Sequence, residues 1–213
     1  MVLNNMKKLI IRNVFIAVLA LLSPALTVAQ SANTGYTVGE IVPDFTLKNV
    51  DGKIVKLSDN KKAKGFILIF SSNTCIFSQA YEQRVINLHK KYAPLGYPVI
   101  SINPNDVTRE PEDSYENMQA VAKAKKYPFA YVKDNTQEIA KAFGATRTPH
   151  VFILQKTTSG NKLVYVGAID NNYEDANAAT EKYVENAVNS LLKGKPIAKT
   201  STKAIGCAIK WKK

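Results

Sequence analysis

The order of segments along this chain predicts an α/β fold: a central mixed β-sheet with helices on both faces, extended at its N-terminal end by a β-hairpin. Three observations carry that prediction. Gly65-Phe66-Ile67-Leu68-Ile69-Phe70 is an unbroken apolar run closed by turn-prone Ser71-Ser72-Asn73, the pattern of a strand buried on both faces. From there Phe77, Tyr81, Val85, Leu88 and Tyr92 recur on one helical face, and a second core strand, Tyr97-Pro98-Val99-Ile100-Ser101-Ile102, follows. Further on, Val151–Leu154 and Leu163–Val166 flank Thr158-Ser159-Gly160 as a hairpin. A strand–helix–strand crossover pairs strands in parallel and a hairpin pairs them antiparallel, so the sheet is mixed.

Taken in order, residues 1–29 read as a signal peptide outside the fold. Lys7, Lys8 and Arg12 make the positive start, Val14–Leu22 the apolar centre, and Thr27 and Ala29 the small residues of a cleavage site. The apolar stretch falls short of the roughly 20 residues that a membrane span needs. No cysteine stands near the cleavage site to take a lipid. The expectation is an exported protein, periplasmic in a Gram-negative source, with an uncleaved anchor as the alternative.

Residues 30–194 are expected to form one domain and 195–213 a basic tail carrying Cys207. Within the domain, 30–37 is a lead-in. Gly39 to Asp59 then form a hairpin, with Phe45 and Leu47 alternating, a turn at Asp51-Gly52, and Ile54, Val55 and Leu57 returning. A turn at Asn103-Pro104-Asn105-Asp106 follows the second core strand. A helix over 114–126 has Tyr115, Met118, Val121 and Ala122 on one face. A short helix near 137–143 takes Asp134 or Asn135 as its cap. A last helix over 174–193 buries Val184, Ala187, Val188, Leu191 and Leu192 and stops at Gly194. Tyr127, Tyr131 and Tyr165 read as packing residues, His89 as lying on a helix surface, Glu82 with Arg84 as a surface pair, and Trp211 as packing the tail.

Removing 29 of the 213 residues leaves 184, enough for one domain with a real core. The whole chain carries +12; the mature part keeps 26 basic residues against 17 acidic, or +9. Its lysines are scattered (Lys61, Lys62, Lys64; Lys123, Lys125, Lys126; Lys210, Lys212, Lys213) rather than interleaved with aromatics along one element. That is a solvated surface and not a nucleic-acid site, while an acidic partner stays open.

Cys75 is the best candidate for chemistry. It stands where the buried strand turns into the amphipathic helix, at or just before a helix N-terminus whose unpaired N–H groups and macrodipole favour an anion. A thiol there loses its proton more easily, and the thiolate is the nucleophile. The other cysteine is Cys207, 132 residues away. In an exported protein such a pair suggests one disulfide, structural or catalytic, and the position of Cys75 favours redox use. Thr148-Pro149 opens the strand Val151–Leu154, where a proline is tolerated and where trans is the ordinary state.

A strand, a cysteine at a helix start, and a Thr-Pro before a β-hairpin and final helix resemble the thioredoxin fold. The resemblance implies a cis Pro149 facing Cys75. Gly39-Glu40-Ile41-Val42-Pro43-Asp44-Phe45-Thr46-Leu47, Asp51-Gly52-Lys53 and Leu57-Ser58-Asp59 are similar to the start of redoxins, a group that includes the alkyl hydroperoxide reductase/thiol-specific antioxidant family. More narrowly, the chain resembles bacterial peroxiredoxin-like redoxins. The matching stretches are Asn73-Thr74-Cys75, Tyr81-Glu82-Gln83-Arg84, Ile102-Asn103-Pro104-Asn105, Gly144-Ala145-Thr146-Arg147-Thr148-Pro149, Tyr165-Val166-Gly167-Ala168-Ile169-Asp170 and Gly206-Cys207-Ala208-Ile209-Lys210-Trp211. Departures matter too. Ser78 replaces the second cysteine of a Cys-x-x-Cys, so no local disulfide closes. Ser72 stands where peroxiredoxins have a threonine, Leu68 where they have a proline, and Arg147 is a counterpart of their arginine.

Together with the signal-peptide pattern, which predicts export, the resemblance implies a thiol-dependent oxidoreductase acting by thiol–disulfide exchange. Cys75 attacks, Thr148 and Pro149 shape the docking edge, and Cys207 resolves the mixed disulfide. One alternative is an antioxidant thiol peroxidase, with Cys75 peroxidatic, Ser72 or Thr74 and Arg147 orienting the peroxide, and Cys207 resolving. The other is a non-catalytic binding protein strapped by a structural Cys75–Cys207 disulfide. Its partners are accordingly protein or small-molecule thiols and disulfides, or peroxides. A copper site of His150 with Cys75 and Cys207, as in copper-handling relatives, lacks a second nearby His or Cys, so no metal and no cofactor is expected. A crossed dimer joined by Cys75–Cys207 bonds stays open.

Overall fold

The computed structural model describes residues 35–213; the signal-peptide segment 1–29 and most of the lead-in lie outside the described residues. Among the described residues, no helix is long and apolar enough to cross a membrane. The elements are β1 (Ile41–Val42), β2 (Thr46–Asn49), β3 (Ile54–Lys56), β4 (Gly65–Phe70), α1 (Ile76–Tyr92), β5 (Val99–Asn103), α2 (Tyr115–Lys125), β6 (Ala130–Lys133), α3 (Glu138–Phe143), β7 (Arg147–Thr148), β8 (His150–Thr157), β9 (Gly160–Gly167), α4 (Tyr183–Leu192) and β10 (Cys207–Ala208).

Eight strands form one mixed sheet in the order β1-β9-β8-β4-β5-β6-β2-β3. β4, β5 and β6 run parallel, because helical crossovers join them, and β8 pairs antiparallel with β4, with β9 completing its hairpin. β4 is buried on both faces, as its unbroken apolar run requires. Phe66, Leu68 and Phe70 point to one core with Phe143 and Phe152, while Ile67 and Ile69 point to the other with Tyr81, Val85, Tyr92, Val184 and Val188. The tyrosines behave as read: Tyr131 and Tyr165 are buried and Tyr127 packs against the second core.

Four local readings are corrected. The N-terminal hairpin is only β2 with β3, since Ile41 and Val42 pair with Lys162 and Asn161 of β9. The last helix begins at Tyr183 and not near 174. In the stretch before it, Asn172 Oδ1 accepts from the N–H groups of Glu174 and Asp175, Asp175 from Asn177, and Asn171 from Glu181. Such side-chain bonds compete with helix formation. His89 is half-buried, and its Nδ1 accepts the Val99 N–H at 3.2 Å. Arg84 does not pair with Glu82: it binds Asp170, while Glu82 takes Lys125 and Tyr127.

Strand β6 is absent from the sequence reading. Its last residue, Lys133, is only 4% exposed, and a lysine in a four-residue run hides the apolar signal. Residues 195–213 run back along the domain. Val166 N–H donates to Thr200 O and Thr202 N–H to Val166 O, Ile209 enters the first core, and Trp211 packs against it. The path ends with β10 laid antiparallel on β7.

Candidate functional site

Cys75 is the N-cap residue of α1, with extended backbone (φ −70°, ψ 116°), as its place between an apolar strand and an amphipathic helix requires. Its thiol is 2% exposed and donates to the Thr148 carbonyl oxygen at 2.7 Å. The Thr148–Pro149 peptide bond is cis. In the β7–β10 ladder Cys207 stands opposite Thr148 and Ala208 opposite Arg147. The structure thus brings Cys75, Cys207, Thr148 and Pro149 together within one chain.

The two thiols are made unequal. Burial pushes Cys75 up, but hydrogen bonds from the Cys207 and Thr148 side chains and from the Ser78 and Cys207 N–H groups outweigh it, leaving Cys75 below the usual thiol range. The Thr148 hydroxyl is buried with no hydrogen-bond partner among the described residues, which leaves its proton available to a Cys75 thiolate. Cys207 is pushed up to about 11 by burial and then by the hydrogen bond and charge of Cys75, against the opposing N–H groups of Phe77 and Ile76. The first turn of α1 therefore serves both sulfurs, and Cys75 is the easier of the two to ionise.

The remaining candidates face elsewhere. Arg147 is exposed, and its Nη1 donates to the Gly206 carbonyl at 3.4 Å, so it grips the strand that carries Cys207. Thr74 lies 3.1 Å (Oγ1 to Oγ) from Ser72 and also donates its N–H to it. The Ser72 hydroxyl donates to Asp113 Oδ2 at 2.8 Å, which commits its proton inward. Two residues had no signal in the sequence. Asp113 is one of several carboxylates in an acidic loop, and Gly206 belongs to a family-matching stretch that gave it no role of its own. A Cβ on Gly206 would come within 2.3 Å of the Thr148 oxygen, so only glycine lets β10 close on β7.

His150, beside Pro149, is 8% exposed; burial lowers it to about 4 from the ordinary 6.5, and its ring centroid sits 4.6 Å from that of Phe152. The unfolded chain binds this proton more readily than the folded one. Stability is therefore complete above about pH 6.5, falls as the pH drops toward 4, and loses about 3 kcal/mol at most from this group. His89, also lowered by burial, adds to the same limb. Urea unfolding across pH 4–7 is expected to show that loss, with a shallower slope in His150→Gln. An unchanged slope would contradict the burial argument.

The sequence pattern of the AhpC/TSA family matches residues 38–160. Chloroplastic peroxiredoxin Q of Triticum aestivum is 30% identical over 129 residues, which are 54% of this chain and 52% of that protein, so the match spans about half of the wheat protein. Thiol-disulfide oxidoreductase ResA of Geobacillus thermodenitrificans (strain NG80-2) is 25% identical over 167 residues, 76% of this chain and 90% of that one. Among solved structures, an uncharacterized conserved protein from Geobacillus kaustophilus superposes with a TM-score of 0.76 at 37% identity, covering 83% of this chain and 93% of that one. The architecture is the thioredoxin-like one that solved redoxins share. Cys207 falls beyond the matched span. The span itself takes in β4, Cys75, α1, Thr148, Pro149 and the β8–β9 turn, and on that match the chain belongs to the AhpC/TSA family.

Proposed function

We propose that this chain is an exported thiol–disulfide oxidoreductase, with Cys75 as the attacking thiolate and Cys207 as the resolving thiol. The observation that carries the reading is the β7–β10 ladder, which holds Cys207 opposite Thr148 and against the Cys75 sulfur. The Cys75 thiolate attacks one sulfur of a substrate disulfide, forming a mixed disulfide and releasing the other half as a thiolate. The charge of Cys75 is then gone, and with it one of the causes that hold Cys207 near 11. Cys207 now gives up its proton to the released thiolate, attacks the Cys75 sulfur and expels the second substrate half. The substrate leaves as one thiol and one thiolate, the latter taking a proton from water, and the protein as Cys75–Cys207; run backward, the same steps oxidise a dithiol.

The surroundings favour exchange over peroxide reduction. Ser72 spends its hydroxyl proton on Asp113, and Arg147 lies exposed with its Nη1 turned to the Gly206 carbonyl, so neither is aimed at a peroxide beside Cys75. The substrates are thus thiols and disulfides of proteins or small molecules. Export rests on the pattern Lys7, Lys8, Arg12, Val14–Leu22 and Ala29, and N-terminal sequencing of the secreted form tests it.

The deciding experiment is a titration of the full chain in a dithiothreitol redox buffer with peptide mapping, repeated on Cys207→Ser. A reversible Cys75–Cys207 bond is expected in the wild type. In the variant a mixed disulfide is expected to accumulate on Cys75, with turnover of a small disulfide lowered at least about tenfold. Unchanged turnover in Cys207→Ser would remove the resolving role. Peroxide consumed faster than disulfide would replace the reading with a peroxidase.

A further inference from the structure

We propose that Asp113 is a positioning residue that sets the two cysteines against each other by holding the backbone of both from one buried carboxylate. The inference rests on the exchange reading above. Asp113 ends a short 3₁₀ turn, Pro111–Asp113, and is fully buried. Its two oxygens accept four hydrogen bonds: Oδ1 from Asn73 N–H (2.7 Å) and Asn103 Nδ2 (2.8 Å), Oδ2 from the Ser72 hydroxyl (2.8 Å) and Asn105 Nδ2 (2.6 Å). Four acceptances fill the capacity of a carboxylate, and the donors come from two separate stretches, Ser72-Asn73 and Asn103–Asn105. Lys133 supplies the balancing cation without touching the carboxylate, donating from Nζ to Asn103 Oδ1, Asn105 O and Asp113 O.

Two of the four bonds lead to Cys75. Ser72 and Asn73 stand three and two residues before it, and the Ser72 oxygen also accepts the Thr74 N–H. A third leads to Cys207. Asn105, turned by Asp113, presents Oδ1 to the Lys210 N–H at 2.8 Å, three residues after Cys207, and the next residue, Asp106, donates its N–H to the Lys210 carbonyl. The fourth, Asn103, joins the two arms, since its Oδ1 accepts the Asn105 N–H. A carboxylate that tied down one cysteine would be ordinary loop packing. This one ties both, from a turn that belongs to neither strand, so moving it moves one sulfur relative to the other. An intramolecular exchange is steeply sensitive to such a shift, with about a hundredfold lost for an ångström of misplacement.

The readout is the effective concentration of Cys207 toward Cys75, obtained from the equilibrium of the full chain with glutathione at one pH, with thermal melts run beside it. Asp113→Asn is expected to lower it about ten- to a hundredfold. Ser72→Ala and Asn105→Ala, each cutting one arm, are expected to lower it severalfold. Their double variant should lose less than the product of the two, because both act through the same carboxylate. This pair carries the test even if Asp113→Asn does not fold. A purely structural role would lower the melting temperatures and leave the effective concentration within twofold of the wild type, or make the two arms strictly multiplicative; either result overturns the inference alone. A wild-type chain that forms no Cys75–Cys207 bond at all would overturn the exchange reading, and the inference with it.

Discussion

Serine at position 75 is expected to reduce turnover of disulfide substrates by at least about a thousandfold, to the level of the uncatalysed exchange. The substitution is nearly isosteric and Cys75 is 2% exposed, so the fold should be kept while the only thiol in the first turn's pocket below the usual range is lost. A second consequence distinguishes this loss from general damage. With the charge and hydrogen bond of Cys75 gone, Cys207 should titrate below about 11, because two of the causes that raise it have been removed. Alkylation of Cys207 followed against pH would show its midpoint moving down. Turnover that survives in Cys75→Ser would place the chemistry elsewhere in the chain.

Alanine at position 206 is expected to open the site. Its Cβ would meet the Thr148 oxygen at 2.3 Å, the Thr148 carbonyl carbon at 2.7 Å and the Pro149 nitrogen at 3.0 Å, all backbone atoms that cannot step aside. β10 has to lift from β7, which carries Cys207 away from Thr148 and uncovers Cys75. Overpacking of this kind costs about 1–3 kcal/mol, enough to shift the closed–open balance roughly five- to a hundredfold. Iodoacetamide should then label Cys75 at least about five times faster in Gly206→Ala than in the wild type, and the effective concentration of Cys207 should fall in parallel. Equal labelling rates would mean that the strand does not cover the thiol.

The strand–cysteine–helix unit was legible from local pattern because each part obeys one period. The six apolar residues of β4 need no partner to declare burial on both faces, and the Phe77–Tyr92 periodicity places Cys75 at the cap. The β8–β9 hairpin and the short α3 were legible for the same reason. What failed locally failed where polar groups are satisfied by distant partners. Lys133 is buried in β6 because Asn103, Asn105 and Asp113 accept its three protons, which no window of neighbouring residues can reveal. The residues before α4 look helical in composition, yet their Asn and Asp side chains bond the backbone first. Ile41 and Val42 read as half of a hairpin because their true partner, β9, lies some 120 residues away.

The site divides in the same way. By itself the sequence singled out the candidate nucleophile, since a cysteine at a helix start is favoured as a thiolate by the N–H groups of its own first turn. It also marked Thr148 and Pro149 as the start of a strand, and only the resemblance to the thioredoxin fold implied that they face that turn. Only the tertiary structure decided that Cys207 reaches Cys75. That contact depends on a strand of two residues closing on β7 and on a glycine that fits because of an oxygen 58 positions earlier; under the inference above it also depends on a carboxylate whose donors come from two distant stretches, 72–73 and 103–105. Local periodicity records which face a residue buries, but it holds no information about which distant hydrogen-bond partners will be waiting there.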